Sequence, residues 1–155
     1  NNMNSHKFSQ KGFTLIEILV AIGIIAILAT IVLVAINPGR QFAQSRNTQR
    51  VSNVNAILNA LGQNMVDNKG VFTCSSGDIP TTASNMASSG GYDIASCLSP
   101  NYLSTLPFDP SSSGAHFASS SDYSTGYSVT KDSTTNRITV SAPGAELSET
   151  ISVTR

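Results

Sequence analysis

Few side chains in this 155-residue sequence have the type and setting needed for chemistry. The most informative is Glu17, the single charged residue between Phe13 and Ile36. A carboxylate in such an apolar stretch costs roughly 2.5 to 3.5 kcal/mol on membrane-insertion scales, so it needs a partner or a function. The nearest basic residues, Lys7 and Lys11, lie before the apolar stretch. Glu17 is therefore the first candidate functional residue.

Cys74 and Cys97 are the only cysteines in the sequence. An even pair in an exported segment suggests a disulfide, which would place residues 71–155 outside the cytoplasm. Metal binding is the competing use of this pair. It is disfavoured because the cysteines do not form a C-x-x-C pair and His116 lies far from both. We expect a disulfide between Cys74 and Cys97 and no metal site.

Motifs of enzymatic catalysis are absent from the sequence. It contains no Gly-rich phosphate loop, no His-x-x-x-His metal pair and no Gly-x-Ser-x-Gly elbow. Its two histidines are His6, which precedes the apolar stretch, and His116, whose serine neighbours reflect local composition. We therefore expect a protein that is not an enzyme and that needs no cofactor.

Charge and composition divide the chain into two unlike halves. Residues 1–70 carry six Lys/Arg and two Asp/Glu, a balance of +4, whereas residues 71–155 carry three and seven, a balance of −4. The acidic half argues against a nucleic-acid surface, because phosphate binding needs clustered Lys and Arg. Ser and Thr fill 31 of the 85 positions from Val71 onward, which leaves only enough large apolar residues for a thin core.

The apolar stretch has the length of a membrane-spanning helix. Ile18 to Ile36 are 19 uncharged residues, which at ~1.5 Å per residue cover about 28 Å, close to the thickness of a bilayer's hydrocarbon core. A buried core helix is one alternative, but the stretch is apolar on every face and too long for the small domain that would surround it. A cleaved secretory signal is another, but the apolar part of a signal is typically ~7 to 15 residues long. The sequence predicts one transmembrane helix, whose orientation the flanking charges leave open because basic residues lie on both sides.

The residues around Glu17 form a recognisable motif. The chain reads Lys11-Gly12-Phe13-Thr14-Leu15-Ile16-Glu17, after a short basic leader and before the uninterrupted apolar helix. This pattern resembles the type IV pilin family, including the pseudopilins of type II secretion systems. The resemblance covers residues 7–36 and weakens after them.

The resemblance implies a processing pathway. In that family a prepilin peptidase cuts after the glycine and methylates the new amino terminus, so Gly12 and Phe13 would be the scissile pair and Phe13 the methylated residue. Glycine suits the first position because a residue without a Cβ lets the peptidase approach the backbone closely.

Glu17 corresponds by position to the glutamate that the family retains in its membrane helix. An ion pair between Glu17 and the Phe13 α-amine of a neighbouring subunit would compensate the buried charge and fix the axial register of a helix bundle. A position at the lipid headgroups is the alternative for Glu17.

The helix is expected to continue beyond Ile36, although Asn37-Pro38-Gly39 should break or kink it. Apolar residues then recur with spacings of 3, 4, 3 and 4, at Val51, Val54, Leu58, Leu61 and Met65. Polar side chains occupy the other positions, among them Arg46, Arg50, Asn53, Asn55, Asn59 and Gln63. Lys69-Gly70 is a plausible stop for this helix.

The end of the chain has the alternation of β-strands. Apolar and polar residues alternate around Tyr127 and Val129, again around Ile138 and Val140, and a third strand is expected at Ile151. An antiparallel sheet with one apolar face laid over the helical stripe is the simplest arrangement. The expected class is α+β, the pilin fold: a long N-terminal helix, membrane-spanning in its first half and amphipathic in its second, packed on a small C-terminal antiparallel sheet.

From Val71 to Gly126 the pattern is irregular, and loops should dominate. Leu106-Pro107-Phe108-Asp109-Pro110 looks like the Leu-Pro-x-Asp-Pro element of many major pseudopilins, but a long Ser-rich insert follows it. This insert argues against carrying over the calcium site that some pseudopilins have. Asp109, Asp122 and Asp132 could supply oxygen ligands, although scattered aspartates are more often simply solvated.

The expected organisation is a leader at 1–12, a transmembrane and assembly helix at 13–36, an amphipathic continuation at 37–70 and an extracytoplasmic, loop-rich β domain at 71–155. The implied partners are identical subunits in a helical filament, the prepilin peptidase, the inner-membrane assembly platform and membrane lipid before assembly, with no nucleic acid. The leading function is a subunit of a type IV pilus-like filament, first in the cytoplasmic membrane and then extracellular. The alternatives are a major secretion pseudopilin, a minor tip pilin that binds DNA or a surface, and an unrelated single-span protein whose external domain binds a ligand.

Overall fold

The structure, a computed structural model, describes residues 12–155, so only Gly12 of the predicted leader is included. The elements follow in the order α1 (Leu15–Ile36), α2 (Pro38–Asp67), β1 (Ser84–Ala87), α3 (Ala95–Leu98), β2 (His116–Ser119), β3 (Asp122–Lys131), β4 (Ile138–Ala142) and β5 (Ile151–Thr154). The chain divides into two compact units after Gly39. The predicted α+β class, with a long N-terminal helical segment and a C-terminal antiparallel sheet, is confirmed.

Helix α1 is apolar around its whole circumference, and none of its residues is buried. Its 22 residues extend about 33 Å at ~1.5 Å per residue, enough to cross the hydrocarbon core of a bilayer. Among the described residues it is the one helix long and apolar enough to do so.

The two helices are separated at Asn37. This residue has a φ of 46°, a left-handed conformation that asparagine tolerates better than most residues. Proline at 38 disfavours the α conformation for the residue before it and is well suited to the first position of a helix. The break predicted at Asn37-Pro38-Gly39 is therefore present, and it coincides with the boundary between the two units.

Helix α2 buries the C-terminal part of its apolar stripe against the sheet. Val54, Leu58 and Leu61 are at most 2% exposed, as the spacing predicted. Ile57, which the predicted stripe omitted, is completely buried, whereas Val51 is 43% exposed. The buried face therefore includes Ile57 and not Val51. The helix ends where expected, with the Gly70 amide donating to the Met65 carbonyl over 2.7 Å.

The sheet is antiparallel, with strands in the order β1-β3-β4-β5 and β2 paired with β3. The predicted hairpin is β3-β4, in which Val129 faces Val140, and the predicted third strand is β5. Burial alternates along β3, where Tyr123, Thr125, Tyr127 and Val129 point inward. The apolar members of this set pack in one core with the buried residues of α2.

Loops dominate residues 71–126 as predicted, but the short elements β1, α3 and β2 also lie in this region and β3 begins at Asp122. Both missed strands have four residues, and β1 reads Ser-Asn-Met-Ala, a sequence of low strand propensity. They form because the long strand β3 offers hydrogen-bonding edges to both.

A disulfide joins Cys74 to Cys97 and closes the connection between α2 and α3. Asn64 on α2 ties this connection down: its amide nitrogen donates to the carbonyls of Thr73 and Cys97, and its oxygen accepts from the Thr73 amide. The disulfide and Asn64 together hold a segment that has little apolar surface of its own.

Replacing both Cys74 and Cys97 by alanine should lower the free energy of unfolding by about 3.4 kcal/mol, the chain-entropy value for a loop of this length. Urea denaturation of the full chain in detergent, followed by circular dichroism, measures the change. Ser89→Ala, at an exposed position in the same closed loop, is the matched control and should change stability by less than about 0.5 kcal/mol. Equal stability of the double variant and the unmodified chain would contradict the stabilising role of the disulfide.

Candidate functional site

The first turn of α1 is built around Thr14 and Glu17. The Glu17 carboxylate accepts from the Thr14 amide over 2.7 Å and from the Thr14 hydroxyl over 2.8 Å, and the Glu17 amide donates back to that hydroxyl over 3.2 Å. These reciprocal bonds form a capping box, which satisfies amides that a helix start leaves unpaired. The negative charge also lies at the positive end of the helix dipole. Glu17 therefore helps to cap the N-terminus of α1 and also carries the only charge in that helix.

Gly12 and Phe13 stand just before this cap. Phe13 is 84% exposed, and a Cβ added to Gly12 would meet nothing within 4 Å. The packing of the described residues thus gives no reason for glycine at position 12. Both residues of the predicted scissile bond are accessible.

The other sequence-predicted ligands do not converge. Residues 12–155 contain no group of three or more His, Cys, Asp or Glu side chains that could hold a metal ion. Asp122 pairs with His116 over 3.1 Å, and Asp132 accepts from the backbone amides of its own turn. His116 also contacts the Gly114 carbonyl, and these two acceptors, that carbonyl first, raise the pKa of its imidazole. The arrangement offers no cation site made from the three aspartates.

A buried ionic cluster is the main feature that the sequence reasoning missed. Arg50, which the sequence grouped with the polar positions outside the apolar stripe, is completely buried. Its guanidinium makes two bonds to the Asp109 carboxylate, of 2.7 and 3.1 Å. Its remaining donors go to Asn47, Glu146 and Ser111 at 2.6–2.8 Å. All five N–H donors of the side chain are thereby used.

Asp109 is 2% exposed, so the expectation that it is a solvated aspartate is wrong. The backbone amides of Ser111 and Ser112 also donate to its carboxylate, over 2.9 and 2.8 Å. Gly144 makes room for it, because a Cβ at that position would lie 2.9 Å from the nearer carboxylate oxygen. The aspartate of the Leu-Pro-x-Asp-Pro element is thus enclosed by its own loop, by α2 and by the connection between β4 and β5.

Glu146 lies between β4 and β5 and joins that segment to α2. Arg46 makes two bonds to the Glu146 carboxylate, of 2.7 and 2.6 Å. The backbone of Glu146 also bonds to the Asn47 side chain: its amide donates to the Asn47 oxygen, and its carbonyl accepts from the Asn47 nitrogen. The bonds from Arg46 and then from Arg50 lower the pKa of Glu146 to about 2. Burial by itself would raise the pKa of Asp109, but the bonds from Arg50 and from the two serine amides outweigh it, and this pKa is lowered. Both carboxyl groups are ionised at neutral pH.

The cluster holds structure together and offers no chemistry to a substrate. Its central donors and acceptors are saturated by one another, and among the described residues no buried side-chain N or O atom lacks a hydrogen-bond partner. Sequence reasoning could have found the Thr14-x-x-Glu17 capping box, which precedes an apolar run as such boxes do. It had no signal for pairing Arg50 with Asp109, which are 59 residues apart.

Comparison with known proteins finds a family match over the segment that contains Gly12, Phe13 and Glu17. The family described as the prokaryotic N-terminal methylation motif matches residues 7–33, less than a fifth of the chain. This segment is the type IV pilin and pseudopilin signature. It includes Gly12, Phe13 and Glu17, together with most of α1. No curated protein and no solved structure matches the chain.

The pilin-type signature points to a structural protein and not to an enzyme. It also implies a substrate of a prepilin peptidase that assembles into a filament. The signature and the apolar helix α1 are together consistent with a membrane-anchored pilin. The match ends at residue 33. The fold of residues 40–155, including the ionic cluster, is therefore known from the structure alone.

Asp109→Ala should destabilise the full chain by about 3 to 5 kcal/mol, because it leaves the buried Arg50 guanidinium without its main counterion. Asp122→Ala, which removes an exposed aspartate from the His116 pair, is the control and should cost below about 1 kcal/mol. Adding Arg50→Met to Asp109→Ala should recover part of the loss, since no unpaired guanidinium then remains buried. Urea denaturation in detergent measures all three, and similar losses for Asp109→Ala and Asp122→Ala would refute the role of the buried pair.

Proposed function

We propose that this chain is the structural subunit of a type IV pilus-like filament. It is made as a membrane-anchored precursor whose residues 71–155 lie outside the cytoplasm. A prepilin peptidase cuts between Gly12 and Phe13 and methylates the Phe13 amine. An inner-membrane assembly platform then extracts the subunit from lipid, and identical subunits polymerise through α1.

The observation that carries this proposal is the methylation motif at residues 7–33 joined to a helix that buries nothing. Helix α1 has 22 apolar-rich residues without one buried, whereas α2 buries nine of its 30. A helix of this composition needs an apolar environment from outside its own chain. Lipid provides that environment before assembly, and the α1 helices of other subunits provide it in the filament.

Glu17 gives the assembled helices their register. Its capping box satisfies hydrogen bonds, but Thr14 is neutral and no cationic side chain among residues 12–155 pairs with the carboxylate. Cleavage creates an α-ammonium on Phe13, and in a staggered bundle this group from one subunit lies against Glu17 of the next. Such a pair compensates both buried charges and fails when the helices slip.

A secretion pseudopilin is the second candidate, favoured by the Leu-Pro-x-Asp-Pro element at Leu106–Pro110. The two candidates share cleavage, methylation and polymerisation and differ in where the filament acts. Deleting the gene in the producing cell separates them: loss of long surface filaments supports a pilus, and loss of protein secretion without loss of surface filaments supports a pseudopilus.

Filaments sheared from the producing cells should contain a subunit that begins at Phe13 and carries one N-terminal methyl group. Intact-mass and peptide mass spectrometry measure both features. Replacing Gly12 by a bulky residue should block cleavage, because the new side chain hinders the approach of the peptidase to the backbone. A filament subunit that still begins before Gly12 would contradict the proposed processing.

Glu17→Ala should leave membrane levels and cleavage unchanged and should produce few or no filaments. It removes an insertion cost of roughly 2.5 to 3.5 kcal/mol, but it deprives the neighbour's amine of its partner, which typically costs ~3 to 5 kcal/mol in a buried pair. Immunoblots of membranes and electron microscopy of sheared filaments measure the outcome.

Glu17→Gln is the matched variant, because glutamine can complete a capping box without a negative charge. It should fail in assembly as alanine does, which assigns the defect to the lost charge and not to the helix start. Abundant filaments from either variant would refute the register-setting role of Glu17.

A further inference from the structure

A shallow apolar groove of about 320 Å³ runs along the C-terminal half of α2. Leu61 and Ile138 form its buried floor, and Val66, which is 79% exposed, stands at its rim. Its lining includes Leu61, Gly62, Met65, Val66, Ile138 and Arg155. All of these residues belong to the folded unit 40–155.

Gly62 lies in the middle of the part of α2 that lines this groove. A Cβ at this position would meet nothing within 4 Å, and the residue has no positive φ that would require glycine. Glycine inside a helix lowers helix stability relative to alanine. Glycine at position 62 therefore adds no stability to the folded subunit. If packing explains this glycine, the atoms that pack against it belong to another molecule.

The connection between β4 and β5 presents an apolar side chain in an unfavourable backbone conformation. Leu147 and Ser148 both have a φ of 58°, which is uncommon for residues other than glycine and costly for a bulky one. Leu147 is nevertheless 44% exposed. The bonds of Glu146 to Arg46 and Asn47 hold this connection against α2, so the exposed leucine is kept in place instead of relaxing into the subunit.

The groove and the leucine carry opposite charges beside them. Arg155, at the groove, donates to Asn59 and pairs with no carboxylate among residues 12–155. Glu149, two residues after Leu147, accepts from the side-chain amide nitrogen of Asn47 and has no cationic partner in the same part of the chain. An apolar side chain beside a carboxylate that lacks a cationic partner thus matches an apolar groove beside a guanidinium that lacks an anionic one.

We infer that the Leu147 loop of one copy of this chain docks into the α2 groove of the next copy, with Leu147 over Gly62 and Glu149 paired with Arg155. This contact rests on the proposed filament and adds to it an interface outside α1. Asn47, which holds the loop, and Gly62 are 15 residues apart on α2, about 22 Å along the helix axis. The two surfaces are therefore separate, and a contact between different surfaces of identical subunits propagates as an open filament when its rotation does not close a ring.

Cysteine cross-linking in filaments tests this contact. With Gly62→Cys and Leu147→Cys in the same full-length chain, oxidation of sheared filaments should give a ladder of covalent dimers and higher multimers on non-reducing gels. The distance along α2 prevents the two new cysteines from joining within one subunit. Gly62→Cys combined with Ser120→Cys, at an exposed position in the turn between β2 and β3, is the matched control and should give no ladder.

Charge reversal gives a second measurement that does not depend on cysteines. Glu149→Arg and Arg155→Glu should each reduce filament yield severalfold, while membrane levels and cleavage at Gly12 stay unchanged. The two changes together should restore the yield, because they restore an opposite pair.

The outcomes separate this contact from the proposed function. Filaments that show neither the ladder nor the restoration overturn the contact and leave the filament subunit in place. Absence of any filament from the unmodified chain overturns the proposed function and the contact with it. If the cysteine variant forms no filaments, the charge-reversal result alone decides whether the contact exists.

Discussion

The folded unit of this protein depends on the complete burial of one guanidinium group. The N-terminal half of α2 is too polar to be held by apolar packing, and Arg50 provides the alternative by joining the helix to two separate connections of the sheet. Removing this charge from water is costly, so the arrangement is stable only because all five donors find acceptors. Asp109 must in turn fit beside Gly144, which couples the Leu-Pro-x-Asp-Pro element to the connection between β4 and β5.

The same helix changes its means of attachment along its length. Toward the C-terminus, Val54, Ile57 and Leu61 pack into the core that the sheet completes. Toward the N-terminus, charged and amide side chains attach the helix to the rest of the unit through hydrogen bonds. The charged half fixes a loop that exposes Leu147, and the apolar half leaves a groove beside Gly62; these are the two surfaces of the contact that we propose between subunits.

Polar contacts compensate for the thin core that the Ser/Thr-rich second half can form. The Tyr123 hydroxyl accepts from the amides of Ile94 and Ala95 and donates to Asp93, which fixes the start of α3 from inside the core. Thr125 points inward from β3 and donates to the Met86 carbonyl. With the Cys74–Cys97 disulfide, these bonds order a long connection that apolar burial alone would leave weakly held.

The sequence by itself determined the features that depend on local pattern. The charge of Glu17 in an apolar run, the break at Asn37-Pro38 and the alternation around Val129 and Val140 each follow from neighbouring residues, and the structure contains the helix break and the strands they predict. The capping box of Thr14 was also readable, because its two members are three residues apart.

Only the tertiary structure decided which polar residues are buried. Arg50 has the same sequence signature as a solvated arginine on a helix, and Asp109 that of a surface aspartate. Their pairing spans 59 residues and becomes favourable only when two loops close around it. The short strands β1 and β2 formed for a similar reason, since hydrogen bonds to the edges of β3 outweigh their own weak propensity. Long-range polar partners leave no periodic trace in a sequence, and for that reason this cluster could not be predicted from it.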